Sequence, residues 1–292
     1  MRIATYRHNN TRHVGRVSSD GLHIQSFEIS ADIAHHGALR LLESVVTGGH
    51  WPAVSSQQVA VSDVHLEAPI PLPRRNIWCV GRNYHEHAKE LSTSVFKDSS
   101  TNTQAWPIVF TKVPECVVGP FDSVHLPGAQ VSEQIDYEAE LAVIIGKGGR
   151  RIAPADVDQH IFGFTCANDV SERPIQFAEM EAGCLLIGKG FDSFCPLGPV
   201  IATGLNHRNL AIATRLNGQL RQSSNTSDLV FDVTYLVSYI SQAITLRPGD
   251  VIITGTPQGI GPMVPGDVVE VEIEGIGILQ NPVVAEADWL AR

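Results

Sequence analysis

The sequence predicts an α+β chain in which strands predominate, and three observations support this. First, the segment from Asp136 to Gly146 ends in Leu141-Ala142-Val143-Ile144-Ile145, an apolar, β-branched run typical of a largely buried strand. Second, the last third repeats one turn device: Pro248-Gly249-Asp250 and Pro265-Gly266-Asp267 each precede a β-branched run. In the same region Leu216-Asn217-Gly218-Gln219 carries the Asn-Gly pair that suits a type I′ hairpin. Third, helical patterning is limited to Ala31 to Val46, a stretch from Tyr84 onward and a short segment around Arg173. At 292 residues the chain can form one large domain with a small companion.

Met1 to Tyr6 and His13 to Val17 resemble two short strands, followed by a turn at Ser18-Ser19-Asp20-Gly21. The Ala31 to Val46 helix has Ser30 as its N-cap and Gly48-Gly49 as its stop. His35 and His36 read as surface helix residues. The connector Ala68-Pro69-Ile70-Pro71-Leu72-Pro73 is stiff and extended, and divides a small N-terminal α/β module, residues 1–70, from a main domain, residues 71–292.

After the connector comes a short buried strand, Ile77-Trp78-Cys79-Val80, and then Gly81-Arg82-Asn83-Tyr84-His85-Glu86-His87-Ala88-Lys89-Glu90-Leu91. On a helix His87 and Glu90 share a face and can touch. A carboxylate bonded to an imidazole fixes its tautomer and raises its basicity, as a water-activating base requires; an ordinary surface ion pair has the same spacing. The Ser/Thr-rich stretch from Ser92 to Gln104 reads as a loop, either over a site or passive. Pro107 to Lys112 resumes strand character.

Glu138 and Glu140 are two apart on a strand and therefore share a face. Unpaired, two buried carboxylates would cost several kcal/mol each, at about the level of desolvated ions. A divalent cation such as Mg²⁺ removes that conflict, and a solvated acidic edge avoids it altogether. The apolar run from Ile161 to Val170 ends in Asp169, a third candidate ligand. Arg173 and Gln176 follow three apart, placed to bind an anionic or carbonyl oxygen. Lys189 lies between Gly188 and Gly190; it reads either as a turn lysine or as a side chain brought into a site where glycine permits close backbone approach. The loop Thr254-Gly255-Thr256-Pro257-Gln258-Gly259-Ile260-Gly261 is neither a P-loop nor a dinucleotide fingerprint, but its backbone N–H groups can cradle an anion.

Thirty-one acidic against 21 basic residues give a net charge of −10, which argues against a sequence-independent grip on nucleic acid. No apolar run approaches the roughly 20 residues of a membrane span, so no membrane partner is expected. The five cysteines show no C-x-x-C spacing and the N-terminus has no signal-peptide core, which points to a reducing cytoplasm.

The strings GRNYHEHAKE, DYEAELAVIIGK, NDVSERPIQ, GKGFDSFCPLGP, LNGQ and PGDVIITGTPQGIG, in this order, resemble the fumarylacetoacetate hydrolase family from about Ile77 to Val284. The resemblance implies a mixed β-sandwich roll, dimeric as a rule, with Mg²⁺ or Mn²⁺ (Ca²⁺ as a substitute) bound by Glu138, Glu140 and Asp169. It further implies that Lys189 stabilises enolate charge and that Thr256, Arg173 and Gln176 hold the oxygens of a small 2-oxo acid. His87 and Glu90 match the family's water-activating pair. One departure is that the family's Ser-Ala-Arg-Asp-x-x-Gln is here Ser171-Glu172-Arg173-Pro174-Ile175-Gln176, which bears on the reach of Arg173.

The activity expected from this resemblance is hydrolysis of the C–C bond of a 2,4-dioxo acid, of acylpyruvate, fumarylpyruvate or maleylpyruvate type, to pyruvate and a carboxylic acid. Decarboxylation of an oxaloacetate-type β-keto acid and isomerisation of an unsaturated 2-oxo diacid use the same metal–enolate core without an attacking water. A non-catalytic, metal-stabilised binding subunit is the expectation from outside enzymology. The pocket for the group beyond C4 is assigned to Ser92–Gln104 and Phe177–Leu186.

Overall fold

A computed structural model describes residues 1–86, 106–128, 131–132 and 134–286. The chain is mostly β, as predicted. Twelve strands form the largest sheet, and its central strand is Ala139–Ile145, buried along its whole length. This strand pairs antiparallel with Ile161–Asn168 on one side and with Val251–Ile253 on the other. Beyond Val251–Ile253 lie Ile77–Gly81, in parallel, and then Ile108–Lys112. Beyond Ile161–Asn168 come Cys195–Ala202 and then Arg2–His8, so the first strands of the chain extend the same sheet.

The continuous apolar run of the central strand now has a physical reason. Leu141, Val143 and Ile145 enter one hydrophobic core with Phe164, Ile212 and Val271, whereas Ala142 and Ile144 enter another with Leu39, Leu41, Leu42 and Ile77. A strand buried on both faces reads apolar at every position rather than at alternate ones. The first core is closed by a five-stranded sheet that includes Ala211–Leu216, Gln219–Asn225 and Val268–Ile273. The second is covered by the helix Ala38–Gly48.

The Asn-Gly hairpin forms as expected. Asn217 and Gly218 take φ of 54° and 76°, both left-handed, as a type I′ turn requires. Ser30 does cap a helix, but the single helix expected from Ala31 to Val46 is two, Ala31–His35 and Ala38–Gly48. The proline-rich connector packs into the break, where the Pro69 carbonyl accepts the Ala38 N–H at 2.8 Å. The strand expected from Asp136 onward is also split. Ile135–Tyr137 belongs to a small three-stranded sheet, the Ala139 strand belongs to the large one, and Glu138 sits at the switch between them. Among the described residues no helix is long and apolar enough to cross a membrane.

Candidate active site and metal centre

Sheet register assembles the acids. Ala139 lies opposite Asn168, so the start of one strand meets the end of its neighbour. The Asp169 N–H donates to the Glu138 carbonyl at 2.9 Å, and Asn168 Oδ1 accepts the Glu138 N–H at 2.9 Å. Glu138, Glu140 and Asp169 are all buried, and each offers a carboxylate oxygen within 4.8 Å of the others. A solvated acidic edge is therefore excluded.

Three buried cations converge on these acids. Lys189 Nζ donates to Glu138 Oε2 at 2.9 Å, Asp169 Oδ2 at 2.8 Å and Ser171 Oγ at 2.6 Å, using all three of its protons. Only 2% of Lys189 is exposed, so the surface-turn reading is overturned. Its helix, Ile187–Gly190, lies tight against a neighbour. A Cβ on Gly188 would come within 2.6 Å of the Gln176 backbone nitrogen, so the glycine lets the lysine's helix close on the helix Arg173–Glu181. Lys112, at the end of an edge strand, donates to Asp169 Oδ1 at 2.7 Å. Burial is the largest single influence and works against its charge, but Asp169 and, behind it, Cys116, Cys195 and Cys79 together hold its pKa above the ordinary lysine value.

Arg173 Nε donates to Asp136 Oδ2 at 2.7 Å, and Nη2 lies 2.6 Å from Glu138 Oε1. Its Nη1 donates to Gln176 Oε1 at 2.8 Å. The guanidinium is thus engaged by protein groups, while Gln176 lines the cleft beside it. The departure at Glu172 and Pro174 is absorbed locally. Glu172 caps the helix by accepting the Ile175 N–H, and Pro174 sits in the first turn, where no amide donor is needed.

Glu140 differs from the other acids. Its Oε2 accepts the Gly255 N–H at 2.6 Å, and among the described residues no cationic side chain bonds to it. Burial first, and then the charges of Asp169 and Glu138, push its carboxyl well above the ordinary value, even with Lys189 opposing. A divalent cation fits here. The donors are hard oxygens, their ligand atoms converge, and the least compensated carboxylate is the one that a metal would neutralise. Gly255 permits the approach: its φ is 98°, and a Cβ would meet the Asn83 Cβ at 2.7 Å.

Thr256 lines the same cleft, along with Arg82, Ile108, Phe110, Phe177, Met180 and Leu185. The structure therefore brings Glu138, Glu140, Asp169, Arg173, Gln176, Lys189 and Thr256 together. His87, Glu90 and the Ser92 to Gln104 stretch lie outside the described residues. Two contributors were missed by sequence reasoning: Lys112, whose signal was a lysine closing an apolar strand, and Gln222, which carried none. All five cysteines are free thiols, Cys184 exposed and the other four buried.

Fold and site together define a member of an enzyme family. Residues 76–284 match the family described as fumarylacetoacetate (FAA) hydrolase C-terminal, and the chain belongs to it. It is 39% identical over 240 residues to the Bacillus subtilis protein named oxaloacetate tautomerase YisK, covering 79% of this chain and 76% of that one. It is 43% identical over 233 residues to the Bos taurus protein named oxaloacetate tautomerase FAHD2B, mitochondrial, covering 76% of this chain and 70% of that one. Among solved structures, maleylpyruvate hydrolase from Sphingobium sp. SYK-6, in complex with manganese(II) and pyruvate, superimposes with a TM-score of 0.77 at 29% identity. That match covers 98% of this chain and 99% of the other.

Proposed function

We propose that this chain is a divalent-metal-dependent enzyme that interconverts the keto and enol forms of a short 2-oxo dicarboxylate of the oxaloacetate kind. The observation that carries this reading is the buried triad Glu138, Glu140 and Asp169 with the Lys189 ammonium bonded across two of its members. Such a site is suited to an enolate and requires no nucleophile. The names of the relatives at 39% and 43% identity support the substrate class.

Glu138, Glu140 and Asp169 would hold a divalent cation, which would supply Lewis acidity to the 2-oxo acid end of the substrate. Lys189 adds a fixed positive charge beside the oxygen on which enolate charge develops. Its three acceptors hold it as an oriented ammonium. Thr256 offers a hydroxyl to the substrate carboxylate, and Gln176 an amide. Ile108, Phe110, Phe177 and Leu185 give the cleft an apolar wall that limits water and strengthens these interactions.

A second reading, hydrolysis of a 2,4-dioxo acid, is favoured by the His87 and Glu90 spacing and by the maleylpyruvate hydrolase neighbour. Purified protein with Mg²⁺ would be given enol-oxaloacetate, acetylpyruvate and maleylpyruvate, following loss of enol absorbance and release of pyruvate. Faster ketonisation without C–C cleavage supports the proposal. Cleavage of maleylpyruvate or acetylpyruvate with no acceleration of ketonisation replaces it with the second reading. The proposal extends to a homodimer working in the cytoplasm; a monomer in analytical ultracentrifugation would overturn the dimer.

A further inference from the structure

We propose that Gln222 is a positioning residue that fixes Thr256 as a hydrogen-bond donor toward the substrate carboxylate and ties that donor to the acid-bearing strand. The inference rests on reading the cleft as a 2-oxo acid site. Gln222 comes from the five-stranded sheet, on the strand Gln219–Asn225, and is completely buried. Its amide is saturated. Oε1 accepts the Ala139 N–H at 3.0 Å and the Thr214 hydroxyl at 2.6 Å. Nε2 donates to Thr256 Oγ1 at 2.8 Å and to the Pro257 carbonyl at 2.7 Å.

These partners determine which end of the amide is which. A backbone N–H can only donate and a carbonyl can only accept, so Ala139 and Pro257 together forbid the flipped orientation. Thr256 Oγ1 therefore accepts from Gln222 and keeps its own proton. Among the described residues the other acceptor within reach of that proton, the Pro257 carbonyl, is 3.5 Å away and already bonded to Gln222. A contact at that distance is at the edge of hydrogen bonding, so the proton is available to the cleft that Thr256 lines. The same amide holds the backbone at Ala139, between Glu138 and Glu140. One buried side chain thus sets the spacing between the metal acids and the group that receives the substrate carboxylate.

The test is a double-mutant cycle read by calorimetric titration of oxalate in Mg²⁺, oxalate being a non-reacting planar mimic of a 2-oxo acid enolate. Oxalate binding by the unaltered enzyme checks the 2-oxo acid reading by itself. If oxalate fails to bind there, that reading and this inference both fall. If it binds, Gln222→Met and Thr256→Val should each weaken it about tenfold, the scale of one hydrogen bond to a charged group. The double variant should be no weaker than the weaker single, because Gln222 acts through Thr256. Thr256→Ser, which keeps the hydroxyl, should bind like the unaltered enzyme. KM for the turned-over substrate should rise in the two single variants more than kcat falls. Should Gln222→Met not fold, Gln222→Glu takes its place: as a buried, protonated carboxyl it keeps the Ala139 and Thr214 bonds and donates to the Pro257 carbonyl, but accepts from Thr256 and so turns that hydroxyl away from the cleft, and the same loss is expected. Unchanged oxalate affinity in a folded Gln222 variant, or losses that multiply in the double variant, would overturn the proposal.

Discussion

The two ends of the central strand bury carboxylates under opposite conditions. At its C-terminal end Asp250 is 4% exposed and satisfied: it forms a two-pronged ion pair with Arg75, with Nε donating to Oδ1 at 2.8 Å and Nη2 bonding Oδ2. Its Oδ2 also accepts the Arg247 N–H at 2.7 Å. One acid meets one cation, and the result is a clasp that closes the sheet. At the N-terminal end, among the described residues, the buried carboxylates Asp136, Glu138, Glu140 and Asp169 face the buried cations Lys112, Arg173 and Lys189, four against three. The excess negative charge collects on Glu140, whose one hydrogen-bond partner among the described residues is the Gly255 amide. Balanced burial makes structure, whereas imbalance leaves room for a ligand cation.

The contrast is broken most severely at Glu140. Glu140→Gln should remove more than about 100-fold of the Mg²⁺ affinity and reduce turnover to background, since even residues behind metal ligands typically contribute 10- to 100-fold. Calorimetric titration of Mg²⁺ checks the affinity, and a rate assay at saturating Mg²⁺ the turnover. Next in size is Lys189→Met, expected to lower kcat by about 100-fold or more, the usual loss when a preoriented charge is removed from a developing oxyanion. Its KM should change far less. Steady-state kinetics with enol-oxaloacetate separate the two parameters.

A smaller effect concerns pH. In the metal-free protein the Glu140 carboxyl is held above the unfolded glutamate value of about 4.3 by burial and its acidic neighbours. The folded state then binds the proton more tightly, so this contribution to stability is complete below the unfolded value and is lost as pH rises through the folded one. Asp136, also raised by burial, acts in the same sense. The Tm of the metal-free protein should fall as pH rises above 5, less so in Glu140→Gln, and saturating Mg²⁺ should remove most of the slope. The smallest catalytic effect belongs to the clasp. Asp250→Asn should lower stability by about 1.5–3 kcal/mol, the range for hydrogen bonds to charged groups, and leave kcat and KM unchanged.

Much of the site was legible because it obeys short-range rules. Glu138 and Glu140 are two apart on a strand, Asp169 closes an apolar run, and Arg173 and Gln176 are three apart on a helix. Lys189 was half legible: the flanking glycines signalled close packing, but only the fold shows that Gly188 meets the Gln176 backbone and drives the lysine inward. Lys112 carried a weak signal, a lysine closing an apolar strand, and Gln222 none; they lie 57 and 34 residues, respectively, from the site group each bonds. The partners of both are set by sheet packing. The division of the Asp136 strand at Glu138 was hidden for the same reason, because the chain changes sheets without a turn signal.

The central claim is that the unbalanced acids hold a divalent cation needed for enolate chemistry. The measurement that tests it most directly is the ketonisation rate of enol-oxaloacetate by protein dialysed against EDTA, before and after excess Mg²⁺ or Mn²⁺ is added. The account predicts no catalysis in the dialysed protein, recovery on adding metal, and no recovery in Glu140→Gln. Full turnover in the presence of EDTA would contradict it.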